Sequence, residues 1–123
     1  MILVDTSVWI DHFRRGVSAL AAILEQGSVL MHPFILGELA CGNLKNRAEL
    51  LRLLHDLPRS PAATDSEVLD LIDRRALMGR GIGYIDAHLI ASAVLTDSAA
   101  LWTRDKRLNQ VAEALNIAFR EHE

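Results

Sequence analysis

Asp5, Glu38, Asp86 and Asp105 are the residues of this 123-residue chain whose type and placement suit them to chemistry. Carboxylates are hard oxygen donors. A converging set would hold divalent cations such as Mg²⁺ or Mn²⁺, which take oxygen ligands and keep several waters. Cations so held polarise a phosphoryl oxygen, lower the pKa of bound water and stabilise a leaving oxygen, which are the requirements of phosphodiester hydrolysis. Without a cation, carboxylates a few ångströms apart repel one another, and some keep their protons at neutral pH.

The placement of these acids carries the reading. Asp5 directly follows the apolar run Met1–Val4, and Asp105 follows the apolar run Ala99–Thr103 by two residues. Both sit where a strand gives way to a helix, and in open α/β sheets ligands collect beyond the carboxyl ends of the strands. Glu38 and Asp86 interrupt helices that otherwise read as core, between Leu36 and Leu39 and between Ile85 and Leu89. A helix N-terminus favours a carboxylate by about 0.3–1 kcal/mol, which accounts for part of Asp86 and none of Glu38. Taken singly, each acid has a structural reading: a turn or cap for Asp5, an N-cap for Asp105, a solvated helix face for Glu38 and Asp86. A site requires all four to converge.

The elements that must bring them together alternate along the chain. Met1–Val4 is a buried strand. Thr6 or Ser7 is placed to cap a helix over Val8–Arg14, which Gly16 stops. Ser18–Gln26 is a second helix and Ser28–Met31 a second strand. Pro33 opens a helix that carries Glu38 and ends near Cys41. Leu44–Asp56 has Leu50, Leu51, Leu53 and Leu54 at helical spacing. Pro58 and Pro61 bracket an extended piece. Thr64 and Glu67 form a capping-box pattern for a helix reaching about Met78. After the loop Gly79–Gly83, Tyr84–Leu95 is a helix with Ile85, Leu89, Ile90, Ala93 and Val94 toward the core. Ala99–Thr103 is a strand, Asp105–Leu115 a helix and Ile117–Phe119 a last short strand. Strands alternating with helices imply parallel strands joined by crossover helices, and hence an α/β sandwich. There is no linker or repeat, so residues 1–123 read as a single domain.

Composition narrows the function. Half the residues are apolar and only 5% aromatic, which supplies a core but not a base-stacking surface of many rings. The formal net charge is −3, whereas simple electrostatic nucleic-acid binders are basic. If four acids share one cation site, the rest of the chain carries +1, a nearly neutral body around an acidic pocket. Cys41 is the only cysteine, which excludes an internal disulfide and fits a reducing cytosol. No secretory signal is expected because Asp5 breaks the apolar start. The longest uncharged stretches are roughly half of the ~20 residues a membrane span needs. The expectation is a cytoplasmic protein.

Four strings then carry a family resemblance. Val4-Asp5-Thr6-Ser7-Val8-Trp9-Ile10-Asp11, Phe34-Ile35-Leu36-Gly37-Glu38-Leu39, Asp86-Ala87-His88-Leu89-Ile90-Ala91 and Leu101-Trp102-Thr103-Arg104-Asp105 occur in this order. Together they resemble PIN-domain proteins, and more narrowly the VapC toxins of bacterial toxin–antitoxin pairs. The resemblance covers nearly the whole chain. It implies a PIN-like three-layer α/β/α sandwich with a short, mainly parallel central sheet. It also implies a Mg²⁺- or Mn²⁺-dependent endoribonuclease and a cognate antitoxin that blocks the site. Asp5, Glu38, Asp86 and Asp105 would be its catalytic and metal-holding acids, with Ser7 and Thr103 as hydroxyl neighbours that orient a carboxylate or a metal-bound water. Many relatives carry an aromatic three residues after the last acid, where this chain has Leu108. The leucine-rich Leu44–Leu57 segment, with the resemblance, implies a homodimer.

Other residues have competing readings. Arg104, Lys106 and Arg107 surround Asp105 and could contact an RNA backbone. Arg14 could do the same, or could offset the dipole at its helix C-terminus. Asp11 reads as a solvated helix-face residue, and Trp9 and Trp102 as core. His12, His32, His55, His88 and His122 show no paired metal spacing. His88, two residues from Asp86, does not share its helix face. The rival functions are an aspartyl phosphatase, a receiver-like regulatory module and a catalytically idle PIN scaffold. The phosphatase expects an acid where Ser7 stands. The receiver expects adjacent early acids, which Asp5 lacks.

Overall fold

A computed structural model describes residues 1–121; His122 lies outside the described residues. The first apolar run forms β1 (Ile2–Val4), with β2 (Val29–Leu30) on one side and β3 (Ala100–Trp102) on the other. Both pairings are parallel, with Leu3 opposite Leu30 and Leu101. Parallel neighbours require crossovers, and helices supply them: α1 (Thr6–Arg15), α2 (Ser18–Glu25), α3 (Pro33–Ala40), α4 (Arg47–His55), α5 (Asp65–Arg75), α6 (Tyr84–Leu95) and α7 (Lys106–Ala114). The result is a three-layer α/β/α sandwich around a short parallel sheet. β1 is central, and its carboxyl end delivers Asp5 beside the end of β3.

The strands are almost wholly apolar because both sheet faces are covered. Leu3, Val4, Leu101 and Trp102 are at most 1% exposed, and they join Trp9, Leu20, Ile35, Leu89, Ile90 and Leu108 in one core. Leu108, the position of the family aromatic, is fully buried, so this leucine fills core space. Among the described residues no helix is long and apolar enough to cross a membrane.

Several local expectations are corrected. Asp5, not Thr6 or Ser7, occupies the N-cap of α1, yet its side chain makes no capping bond. The helix therefore begins two residues early, with both hydroxyls in its first turn. α4 begins at Arg47 rather than Leu44 because Asn46 adopts a left-handed conformation, φ 51°, which asparagine tolerates and a helix interior does not. Of its leucines only Leu54 is buried.

α5 ends at Arg75 rather than near Met78. Ala76 turns left-handed, and the Leu77 N–H donates to the Ile72 carbonyl, a helix-closing bond. Ile85 and Val94 are 41% and 43% exposed; the buried stripe of α6 runs through Ala87–Ala93 instead. The last strand shrinks to one parallel bridge, Leu101 to Ala118. At the opposite edge Met31 bridges Arg59 between Pro58 and Pro61, and prolines belong on such an edge.

Candidate active site

The carboxyl ends of β1 and β3 are tied by a hydroxyl–carboxylate network. Asp5 Oδ2 accepts hydrogen bonds from Ser7 Oγ and from Thr103 Oγ1, each at 2.8 Å. Ser7 Oγ in turn accepts from the Arg104 N–H at 3.0 Å, and Thr103 Oγ1 from the Asp105 N–H at 3.1 Å. Each hydroxyl has one proton, and that proton is spent on Asp5. The 3.3 Å contact between the two hydroxyls is therefore a close approach and not a further bond. Asp5 is 8% exposed, and among the described residues nothing donates to its Oδ1.

The other acids are held just as specifically. Glu38 is exposed on α3, but Thr6 Oγ1 donates to its Oε1 at 2.9 Å, across 32 residues of sequence. Asp86, in the first turn of α6, reaches back to accept from the Gly83 N–H at 3.2 Å. Asp105 is the N-cap of α7, and its Oδ1 accepts from the N–H groups of Arg107 and Leu108 at 2.9 and 3.1 Å. Its capping duty takes Oδ1 and leaves Oδ2 free among the described residues.

The charges of the other three acids reach Asp86. Burial raises the Asp86 carboxyl above the usual carboxylate range; the Gly83 N–H opposes this, and the charges of Asp5, Asp105 and Glu38 each push it further up. Among the described residues no three His, Cys, Asp or Glu side chains close around one point as an ion cage would. The donor set still fits a hard, largely hydrated cation, which binds through one or two carboxylates and waters. Oxygen donors alone suit a hard divalent cation rather than softer metals.

Of the cations flanking Asp105, Arg104 is already engaged. Its guanidinium donates to Glu121 Oε1 and Oε2 at 2.9 and 2.8 Å and to Asp11 Oδ2 at 2.8 Å. Asp11 is therefore an ion-pair partner rather than a solvated side chain, and both acids are held below their usual pKa chiefly by Arg104. Arg104 has little left to offer a phosphate. Lys106, Arg107 and Arg14 are exposed, with no carboxylate partner among the described residues. Arg14 lines a groove of about 600 Å³ with Ile10, Phe13, Glu38, Lys45 and Leu50, and Glu38 is the one of the four acids in that lining.

Sequence reasoning missed Thr6, the anchor of Glu38. The only local signal was a hydroxyl directly after Asp5. It also missed two buried histidines, His32 and His88, whose rings both pack on Phe34. His32 is 1% exposed and N-caps α3, its Nδ1 accepting from the Phe34 N–H at 3.0 Å. The proton must then lie on Nε2, which has no partner. His88 on α6 is 3% exposed, with its ring edge-on to Phe34 and Tyr84. Its Nε2 stands 3.3 Å from Asp65 Oδ1 but off the hydrogen-bond axis.

Burial, with the charges of His88 and Arg59, lowers the pKa of His32 from 6.5 to about 4. A base with a depressed native pKa takes up its proton more readily in the unfolded chain. Its stabilising contribution is thus complete above pH 6.5 and is lost as the pH falls toward 4. Thermal melts at pH 7 and 5 should show His32→Asn, which keeps an acceptor for the cap, losing about 2 kcal/mol less than wild type over that interval. Equal losses would remove His32 from the acid response.

The PIN domain family profile matches residues 2–114. Ribonuclease VapC32 of Mycobacterium tuberculosis, in strains CDC 1551 / Oshkosh and ATCC 25618 / H37Rv, is 46% identical over 121 residues, covering 98% of both chains. With the parallel β2-β1-β3 sheet and with Asp5 and Asp105 following its first and third strands, these matches show that the chain belongs to the PIN-domain family, as a VapC-like member.

Proposed function

We propose that this chain is a metal-dependent endoribonuclease, acting as the toxin of a toxin–antitoxin pair, with Asp5, Glu38, Asp86 and Asp105 as its catalytic acids. The observation that carries the reading is the geometry at the carboxyl ends of β1 and β3, where Ser7 and Thr103 hold Asp5 and where Asp105 caps α7 through Oδ1 alone; the charges of Asp5, Asp105 and Glu38 reach Asp86. The similarity to a protein named a ribonuclease supports it.

Asp5 and Asp86 would hold Mg²⁺ or Mn²⁺ most directly, with Asp105 Oδ2 and Glu38 completing the acidic rim. When bound, the cation supplies Lewis acidity and an activated water. The chain's own task is positioning. Ser7 and Thr103 fix Asp5, Thr6 fixes Glu38, the Gly83 N–H fixes Asp86, and the first turn of α7 fixes Asp105. Burial of Asp5 and Thr103 excludes bulk water from the rear of the site. Lys106, Arg107 and Arg14 are exposed cations available to an RNA backbone.

The groove beside Glu38 is the proposed seat of a segment of the cognate antitoxin, which there would block one side of the acidic pocket. The exposed Leu53 on α4 and the half-buried Leu50, Leu51 and Leu57 support a homodimer, an assembly that a purely monomeric sedimentation profile at micromolar concentration would remove. Residues 1–123 act as one PIN domain in this reading, in the cytoplasm, where the free Cys41 stays reduced.

The test is cleavage of a mixed small-RNA pool by purified protein with Mg²⁺, with Mn²⁺ and with chelator. Discrete products that require the metal are expected. Products that persist in chelator would overturn the metal-dependent reading, and intact RNA under all conditions would favour a catalytically idle PIN scaffold.

A further inference from the structure

A second feature joins the two helix N-termini that carry Asp86 and Asp105. Arg107 lies in the first turn of α7, and its side chain lies across the glycine loop that leads into α6. A Cβ built on Gly81 would meet Arg107 Cδ at 2.5 Å, NH1 at 3.0 Å and Nε at 3.1 Å. Any side chain at position 81 would displace this arginine. Gly81 also has φ +82°, a conformation that glycine alone adopts without strain. The loop is therefore shaped to receive the Arg107 side chain from Cδ to the near edge of its guanidinium.

The packing leaves the charged end unused. The Arg107 backbone N–H donates to the N-cap Asp105 Oδ1, but among the described residues no hydrogen bond or ion pair takes its guanidinium. Helical side chains lean toward their own N-terminus, which here is the end that carries Asp105. Arg104 differs, because Asp11 and Glu121 hold its fork. A site lined by carboxylates repels a polyanion, so a cation held on the loop before Asp86, in the helix turn that Asp105 caps, has a clear use.

We propose that Arg107 grips a phosphate of the RNA at the cleaved strand, and that Gly81 is the seat that aims it. This rests on the ribonuclease reading above. A planar fork presented by a fixed stem makes paired bonds to a phosphate, which a lysine ammonium reproduces only as a point charge. Arg107→Ala should therefore weaken RNA binding, Arg107→Lys should recover part of the loss, and Gly81→Ala should weaken it by dislodging the stem.

The experiment measures retention of an end-labelled small-RNA pool on the Asp86→Asn protein, with and without each change, over a salt series. Cleavage by the matching proteins with Asp86 intact is followed in parallel, with melting temperatures. Arg107→Ala should weaken binding by about tenfold and reduce the slope of log K against log salt by about 0.7, one phosphate contact to a single strand. Unchanged affinity and slope, with wild type still cleaving RNA, would overturn the role of Arg107 and leave the ribonuclease reading standing. A lower melting temperature with unchanged affinity would also overturn it, by making the contact with Gly81 purely structural. If wild type neither binds nor cleaves RNA, both fall together.

Discussion

Asp86→Asn should abolish metal-dependent RNA cleavage and, in metal-free buffer, make the protein more stable than wild type. The two signs come from one cause. Burial and the charges of Asp5, Asp105 and Glu38 raise the Asp86 pKa. A raised carboxyl pKa means that the fold disfavours the charged form, so at neutral pH the ionised group costs stability, and that cost is relieved as the pH falls. Asparagine removes the charge and keeps an oxygen to accept from the Gly83 N–H, so the start of α6 is preserved. Activity should fall by more than the ~10–100-fold that loss of an outer hydrogen-bond partner costs, because the lost charge would face the cation itself.

Added Mg²⁺ should reverse the order. An ion that binds only the folded state stabilises it by about 2.7 kcal/mol at a hundred times its dissociation constant. Wild type should gain this and Asp86→Asn should gain little, so the two melting curves should cross as the metal concentration rises. Parallel curves with metal would mean that Asp86 does not help to hold it. A metal-free variant less stable than wild type would mean that the like charges do not strain the fold.

The same tension explains what could be read from the sequence. The strand before Asp5, the capping box at Thr64 and Glu67 and the stop at Gly16 are local signals, written within a few residues, and the structure keeps them. The acids were visible because a charge at a strand end or inside an apolar helix breaks a local pattern. The anchors of those acids were not. Thr6 finds Glu38, Thr103 finds Asp5 and Arg104 finds Asp11 across 32, 98 and 93 residues, and no periodicity records such pairings. Ile85 and Val94 fit the helical spacing of a core face, yet they lie outside the buried run Ala87–Ala93. Packing against β3 and α5, rather than the pattern within α6, decides which side is covered.

Thr103→Val should cost about 1.5–3 kcal/mol of stability, the range for a hydrogen bond to a charged group, and should lower cleavage by about 10–100-fold, the range for an outer partner of a metal ligand. Valine has nearly the shape of threonine and suits a strand end, so packing is not at issue. The hydroxyl alone is lost. It serves two residues at once, donating to Asp5 Oδ2 and accepting from the Asp105 N–H. Its removal leaves Asp5 with Ser7 as its one hydroxyl donor and leaves the Asp105 N–H without its acceptor. Asp5 and Thr103 are only 8% and 6% exposed, so water has poor access to repair either loss. The β1 and β3 acids would then no longer share a fixed spacing, and a site built from several carboxylates depends on that spacing more than on any single contact. Thr103→Ser restores the hydroxyl and should recover most of both losses. Melting curves and cleavage rates of the two variants decide the matter: if valine performs within twofold of wild type, Asp5 is held by Ser7 alone and the bridge between the strand ends is not part of the machinery.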